Sequence, residues 1–246
     1  MTEQLFTEDA YLRDCTATVL AVEERGDGPE ARGYVTLDRT CLYARSGGQP
    51  GDSGTMRWDG GEAVIAEAIK GEAGAILHGL APGAAMPPVG ATVTVTLDWD
   101  RRHRHMRMHT TLHLLCSILP GIFATGNQIG AEKSRLDVDL AEPPAKEWFS
   151  ARLAELVAAD HPIGTRWIAE EELDANPSLV RTLSVQPPRG AGRIRLVRIG
   201  PEDAPIDLQP CGGTHVRSTG EIGRVSVTKL ESKGRQNRRI HIVLED

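Results

Sequence analysis

The chain has 246 residues, 40% of them hydrophobic and 25% charged, which places it among ordinary globular proteins with room for one large or two modest domains. No apolar run is long enough to span a bilayer, and Met1-Thr2-Glu3-Gln4 lacks the basic start of a secretory signal, so a cytoplasmic protein is expected. The net charge of −6 argues against a polyanionic partner only if the basic residues are dispersed. They are not. Arg101, Arg102, Arg104 and Arg107 crowd one segment, and Lys229, Lys233, Arg235, Arg238 and Arg239 crowd the end.

Residues 15 to 98 read as β-rich. Cys15 to Val22, Gly33 to Asp38, Ala63 to Ala68 and Ala91 to Leu97 alternate or run apolar in β-branched types, with glycine and proline between them. Several short strands at this spacing predict a small barrel or sandwich, with Thr92, Thr94 and Thr96 turned outward from Val93, Val95 and Leu97. Within it, Ser46 to Gly54 holds four glycines and a proline, which forces a loop. It lacks the Gly-Lys-Ser/Thr ending of a P-loop.

At Asp98-Trp99-Asp100 the pattern turns helical. Asp98 or Asp100 can cap a helix running from Arg101 to Leu119, with Met108, Leu112, Leu115 and Leu119 as its apolar stripe and Pro120-Gly121 as its stop. The segment Thr125 to Asp139 ends in strand-like alternation, and a second helix carries Phe149, Leu153, Leu156 and Val157. Strands follow at Arg166 to Ala169, Arg193 to Ile199, Gly223 to Leu230 and Arg239 to Leu244, the last two joined by a basic turn. The expected class is α+β: residues 1–98 a small β-barrel-like domain with a Gly-rich loop, and residues 99–246 an α+β domain with an antiparallel sheet.

Two short pieces carry the chemistry. His109 and His113 stand four apart on the predicted helix and present both imidazoles to one point. Cys211-Gly212-Gly213-Thr214-His215 sets a thiolate and an imidazole across a Gly-Gly turn whose missing side chains allow tight folding. Either half alone is a weak signal, but together they form a three-His, one-Cys set that suits tetrahedral zinc better than magnesium or calcium. Cys15, Cys41 and Cys116 read as ordinary buried thiols. A metalloprotease would need Glu after the first His, and Thr110 stands there, which removes that reading. Four protein ligands also suit a structural zinc, so spacing alone leaves structural and catalytic roles open, together with Cys211 as a thiol nucleophile.

The motifs Tyr43-Ala44-Arg45-Ser46-Gly47-Gly48-Gln49 with Asp52-Ser53-Gly54, Arg107 to Leu115, Pro210 to His215, Thr219 to Gly223, and Gly234 with Arg238-Arg239-Ile240 resemble the AlaX family of freestanding alanyl-tRNA editing proteins. That family is similar to the editing domain of alanyl-tRNA synthetase, and the glycine-rich loop marks its medium-length type, with a small β-barrel domain before the editing domain. The resemblance implies zinc on His109, His113, Cys211 and His215. It implies hydrolysis of the ester joining a wrong amino acid, serine above all with glycine second, to the acceptor end of tRNA(Ala). It further suggests Gln128 as catalytic or hydroxyl-reading group, and Thr125, Asn127, Thr214, Gly47, Gly48 and Gln49 as substrate-binding groups. Arg101, Arg102, Lys233, Arg235, Arg238 and Arg239 would form a positive rim for RNA. Arg45 and Leu42 stand where family loops commonly have an acidic residue and Phe, and Thr111 replaces a common Ala.

Overall fold

The computed structural model describes residues 1–28, 31–183 and 192–245. The chain forms two compact units, Met1–His103 and Arg104–Asp246. The division falls inside a helix, past the expected 98/99 boundary.

The first unit contains β1 (Glu3–Gln4), β2 (Asp14–Arg25), β3 (Arg32–Leu37), β4 (Arg39–Thr40), β5 (Gly54–Trp58), β6 (Gly61–Lys70), β7 (Ile76–Leu80) and β8 (Thr92–Leu97). Six of these close into an antiparallel barrel in the order β2-β3-β7-β6-β5-β8, with β8 returning to β2. Closure removes the exposed sheet edges that would otherwise invite pairing with another chain. Alternation does the packing: Cys15, Ala17, Val19, Val93, Val95 and Leu97 point inward, and Thr92, Thr94 and Thr96 point outward as expected. Strands β5 and β7 were not expected from the sequence, because β5 opens on a glycine and β7 carries His78-Gly79 at its centre. In the folded barrel all five residues of β7 are buried.

The Gly-rich loop folds back on this barrel. Ser46 and Gln49 exchange backbone hydrogen bonds of 3.1 and 2.9 Å across Gly47 and Gly48, whose φ values of 56° and 85° define a tight turn closed to most side chains. Gly51 and Gly54 lie so close to the backbone carbonyls of Ala68 and Thr96 that a Cβ would collide with them. Asp52 ties the loop down, its Oδ2 accepting the Tyr43 N–H at 2.6 Å.

Helix α1 (Trp99–Ser117) begins where Asp98 accepts the Arg101 N–H at 3.2 Å through Oδ1, the capping expected of it. The second unit continues with β9 (Ala124–Gln128), β10 (Lys133–Asp139), α2 (Lys146–Ala158), β11 (Ile163–Ala169), α3 (Glu170–Ala175), β12 (Arg193–Ile199), β13 (Asp207–Pro210), β14 (Val225–Ser232) and β15 (Asn237–Leu244). The strands make two antiparallel sheets, β14-β15-β10-β9 and β11-β12-β13. One face of the larger sheet buries Leu136, Val138, Ile240, Ile242, Val225 and Val227, and α2 packs along β14 with Phe149 and Leu153 buried. From Met108 to Cys116 every residue of α1 is buried. The apolar stripe therefore understates its surroundings: this stretch of the helix is enclosed on all sides.

Candidate metal centre

Two elements position four candidate ligands. Along α1, one turn separates His109 from His113, and their rings stand 5.2 Å apart between centroids. Cys211 follows β13 directly, and His215 comes four residues later, its ring 4.3 Å from that of His109 and 4.5 Å from that of His113. The ligand atoms of all four residues lie within 4.8 Å of one another. Sequence reasoning credited the Gly-Gly pair with the tight turn, yet neither Gly212 nor Gly213 adopts a positive φ. The fastening is Arg195 of β12, whose Nη1 donates to the Cys211 and Gly213 carbonyls at 2.9 and 3.0 Å.

Outer contacts aim the rings. His113 donates from Nδ1 to Asp207 Oδ2 at 2.9 Å, which leaves Nε2 for a ligand; the same carboxylate oxygen accepts from Gln209 Nε2 at 2.9 Å. The Val216 N–H donates to Thr110 Oγ1 at 3.4 Å, and that hydroxyl stands 3.1 Å from His215 Nδ1, so His215 turns Nε2 inward. Cys211 Sγ is 3.5 Å from His109 Nε2 and 3.3 Å from His215 Nε2. Those spacings are what a metal needs, since sulfur and nitrogen at ordinary zinc bond lengths on a tetrahedron stand about 3.6 Å apart.

Electrostatics agrees with the geometry. Burial pushes the Cys211 thiol up, but His109 and His215 beside it outweigh this and hold it well below its usual value. Burial drives His215 well below the ordinary histidine range, helped by its histidine neighbours. Burial also disfavours a charged His113, yet its hydrogen bonds to Asp207 and Cys211 prevail and raise it to about 10. A thiolate at Cys211 and a neutral His215 are the states in which these groups ligate, and the pocket carries a positive charge on His113 where a cation would displace a proton.

Asp207, Gln209 and Thr110 were missed as supporting groups. The signal was present: Asp207, Gln209 and Cys211 are two apart, so one face of a strand carries all three.

Two arginine contacts link helix α1 to the segments around β9. At one end Arg104 Nε donates to the Ala131 carbonyl at 3.0 Å. At the other the Ala124 N–H donates to the Arg181 carbonyl at 2.9 Å, and the Arg181 guanidinium caps the end of α1 at the Cys116 and Leu119 carbonyls, 2.8 and 3.1 Å away. Asn127 pairs with Leu136 and shares its inward face, where its Oδ1 is buried with no hydrogen-bond partner. Gln128 points the other way, exposed, with Oε1 accepting from Arg135 Nε at 3.2 Å. Thr125 donates to Asn237 Oδ1 at 3.2 Å.

The remaining expected site residues scatter. Gly47 and Gly48 are exposed at a loop tip of the first unit, while Gln49, like Thr214 in the second unit, has no exposed surface. Arg101 is half-buried, with Nη2 on the Gly51 carbonyl at 3.4 Å. Arg102 is withdrawn from the expected RNA rim: it is fully buried, with Nε on Asp52 Oδ2 at 2.9 Å, Nη1 on the Ala10 carbonyl and Nη2 on the Cys41 carbonyl, each at 2.7 Å. The sequence cue failed because a buried carboxylate fifty residues away claims this guanidinium. Lys233 and Arg235 are exposed in the β14–β15 turn, Arg238 donates to backbone carbonyls there, and Arg239 grips Asp137 through two bonds of 2.7 and 2.8 Å.

Residues 194–241, which include Cys211 and His215, match the model for the threonyl and alanyl tRNA synthetase second additional domain, and residues 7–101 match the class II (A) tRNA synthetase model. The alanyl-tRNA editing protein AlaX-M of Methanosarcina mazei is 36% identical across 100% of this chain and 98% of its own length. The chain belongs to the AlaX-M family. Within that family, AlaX-M of Saccharolobus solfataricus is 30% identical over the full length of both proteins. The likeness extends to the alanine–tRNA ligase of Pyrobaculum aerophilum, 37% identical over 94% of this chain but only 25% of the ligase. An AlaX-M chain thus corresponds to a quarter of the larger enzyme. No helix among the described residues is long and apolar enough to cross a membrane.

Proposed function

We propose that this AlaX-M chain is a trans-editing hydrolase that deacylates mischarged tRNA(Ala), chiefly Ser-tRNA(Ala) with Gly-tRNA(Ala) second, in the cytoplasm. The observation that carries the reading is the convergence of four ligand atoms within 4.8 Å in a chain of this family. His109, His113, Cys211 and His215 would hold zinc, which when bound supplies a Lewis acid able to polarise an ester carbonyl or anchor the aminoacyl group.

The reaction adds water to the acyl carbon, breaks its bond to the terminal ribose oxygen and returns a proton to that oxygen. The chain contributes position and selectivity. An aminoacyl ester is already activated, so holding it against a fixed polar site supplies much of the acceleration. Sparing alanine while cleaving serine is the harder demand, and a site that hydrogen-bonds the extra hydroxyl does this better than size exclusion. The inward, unpartnered Oδ1 of Asn127 is an acceptor suited to that hydroxyl, whereas Gln128, turned to the opposite face of the strand, meets the RNA side of the sheet instead. Leaving a buried carbonyl oxygen unpaired costs about 1–3 kcal/mol, which a substrate donor would recover.

A second reading, a tRNA-binding module with purely structural zinc, draws on the closed set of four ligands and their outer hydrogen bonds. Incubation with Ser-, Gly- and Ala-tRNA(Ala) separates the two. The hydrolase reading requires rapid release of serine with alanine retained, and Asn127→Ala should erode serine release more than glycine release. Background release of all three would establish the binding module instead.

A further inference from the structure

We propose that the outer face of the β14-β15-β10-β9 sheet is the platform on which the duplex backbone of the tRNA acceptor stem docks. The proposal rests on the editing reading and adds the surface that receives the RNA. Its basis is the register of the sheet. Gln128, Arg135, His241 and Lys229 lie opposite one another in a row crossing all four strands, and Gly126, Asp137, Arg239 and Glu231 form the next. Paired residues share a face, so both rows point away from the one buried under α2. Half-buried charge covers this face instead of an apolar layer.

Its charge is lopsided. Asp137 holds Arg135 at 2.8 Å and Arg239 at 2.7 Å, and Glu231 binds Lys229, Lys233 at 3.7 Å and His241 at 2.9 Å. Two carboxylates thus serve four permanent cations. Lys133 on the same face and Arg235 at the turn have no carboxylate partner among the described residues, and the exposed Asp139 opposite Asn237 offsets one of them. A basic surface on a chain of net charge −6 is a local feature and fits a phosphate backbone. The carboxylates also hold both guanidiniums at fixed angles while part of each remains exposed, 28% for Arg135 and 22% for Arg239, which suits phosphate oxygens better than loose side chains would.

Strand β9 is the last strand of this sheet, and the backbone and guanidinium of Arg181 tie its Ala124 end to the end of the helix that carries His109 and His113, so a stem lying on the outer face would bring its single-stranded 3′ end toward the metal centre from the β9 side. Shape and backbone contacts of this kind are the usual mode for double-helical RNA, whose base edges are hard to reach in the deep groove.

The test uses the full chain with Lys133→Glu and Lys229→Glu combined, both exposed, and Arg152→Glu on the exposed side of α2 as the control. The double variant should raise KM for Ser-tRNA(Ala) about tenfold or more with kcat unchanged, and should flatten the log affinity against log salt plot by about one to two units. Uncharged tRNA(Ala), measured by fluorescence anisotropy, should lose affinity by the same factor, while Arg152→Glu behaves as wild type. Unchanged affinity and salt slope in the double variant, or an equal loss in the control, would overturn the platform. A wild type that binds uncharged tRNA through these lysines and deacylates nothing upholds the platform and rejects the hydrolase reading.

Discussion

Asp207 shows how much one side chain outside the ligand set can decide. Its Oδ2 fixes the tautomer and angle of His113, and such partners set ligand basicity as well as direction. Asp207→Asn should lower zinc affinity by about 10–100-fold as measured by competition with a chelator. An unchanged affinity would show that His113 is oriented by packing alone. In the barrel, His78 is wholly buried, with Nδ1 donating to the Val35 carbonyl at 3.0 Å and Nε2 accepting from Thr40 Oγ1 at 2.8 Å. Burial lowers its pKa from 6.5 to about 4. Between those values the unfolded chain binds the proton and the folded barrel does not, so stability falls as pH drops from 6.5 toward 4. The loss from this group amounts to about 3 kcal/mol. Denaturant melts at pH 7 and pH 4.5 should therefore show a smaller acid loss for His78→Gln than for wild type. Equal losses would mean the imidazole is protonated without penalty in the fold.

At the scale of elements, the Gly-rich loop and the start of α1 are joined by the buried Arg102–Asp52 pair. Removing one partner from a buried ion pair strands the other charge, so Arg102→Met should cost about 3–5 kcal/mol, and adding Asp52→Asn should cost little more. Additive losses would contradict the pairing as the reason for Arg102's burial. The same elements mark where sequence is informative. Strands β2, β3, β6 and β8 were legible because their residues alternate, and the His109–His113 pair because four residues make one helical turn. Strand β7 was illegible because it is buried throughout, which leaves no alternation to read. The enclosure of α1 was hidden for a related reason: Thr110 and Thr111 look like a polar face, yet both are fully buried, Thr110 beside His215 and Thr111 donating to the Arg107 carbonyl at 2.8 Å.

For the molecule as a whole, composition misleads in an instructive way. A net charge of −6 hides a sheet face where cations outnumber carboxylates, and clustered arginines in sequence hide Arg102, which serves the fold. The convergence of His109, His113, Cys211 and His215 was legible because His and Cys in ligand spacing leave few other uses. The supporting shell and the direction of Asn127 and Gln128 were not, because they depend on strand register set by residues far away in sequence. The proposed activity of the chain is selective ester hydrolysis at the candidate metal centre. The measurement that tests it most directly is the rate of amino-acid release from Ser-tRNA(Ala) and Ala-tRNA(Ala) by the zinc-loaded protein, with His109→Ala alongside. Serine should be released fast and alanine retained, and the variant should lose both zinc and activity. Equal, background-level release from both tRNAs by the wild type would contradict it.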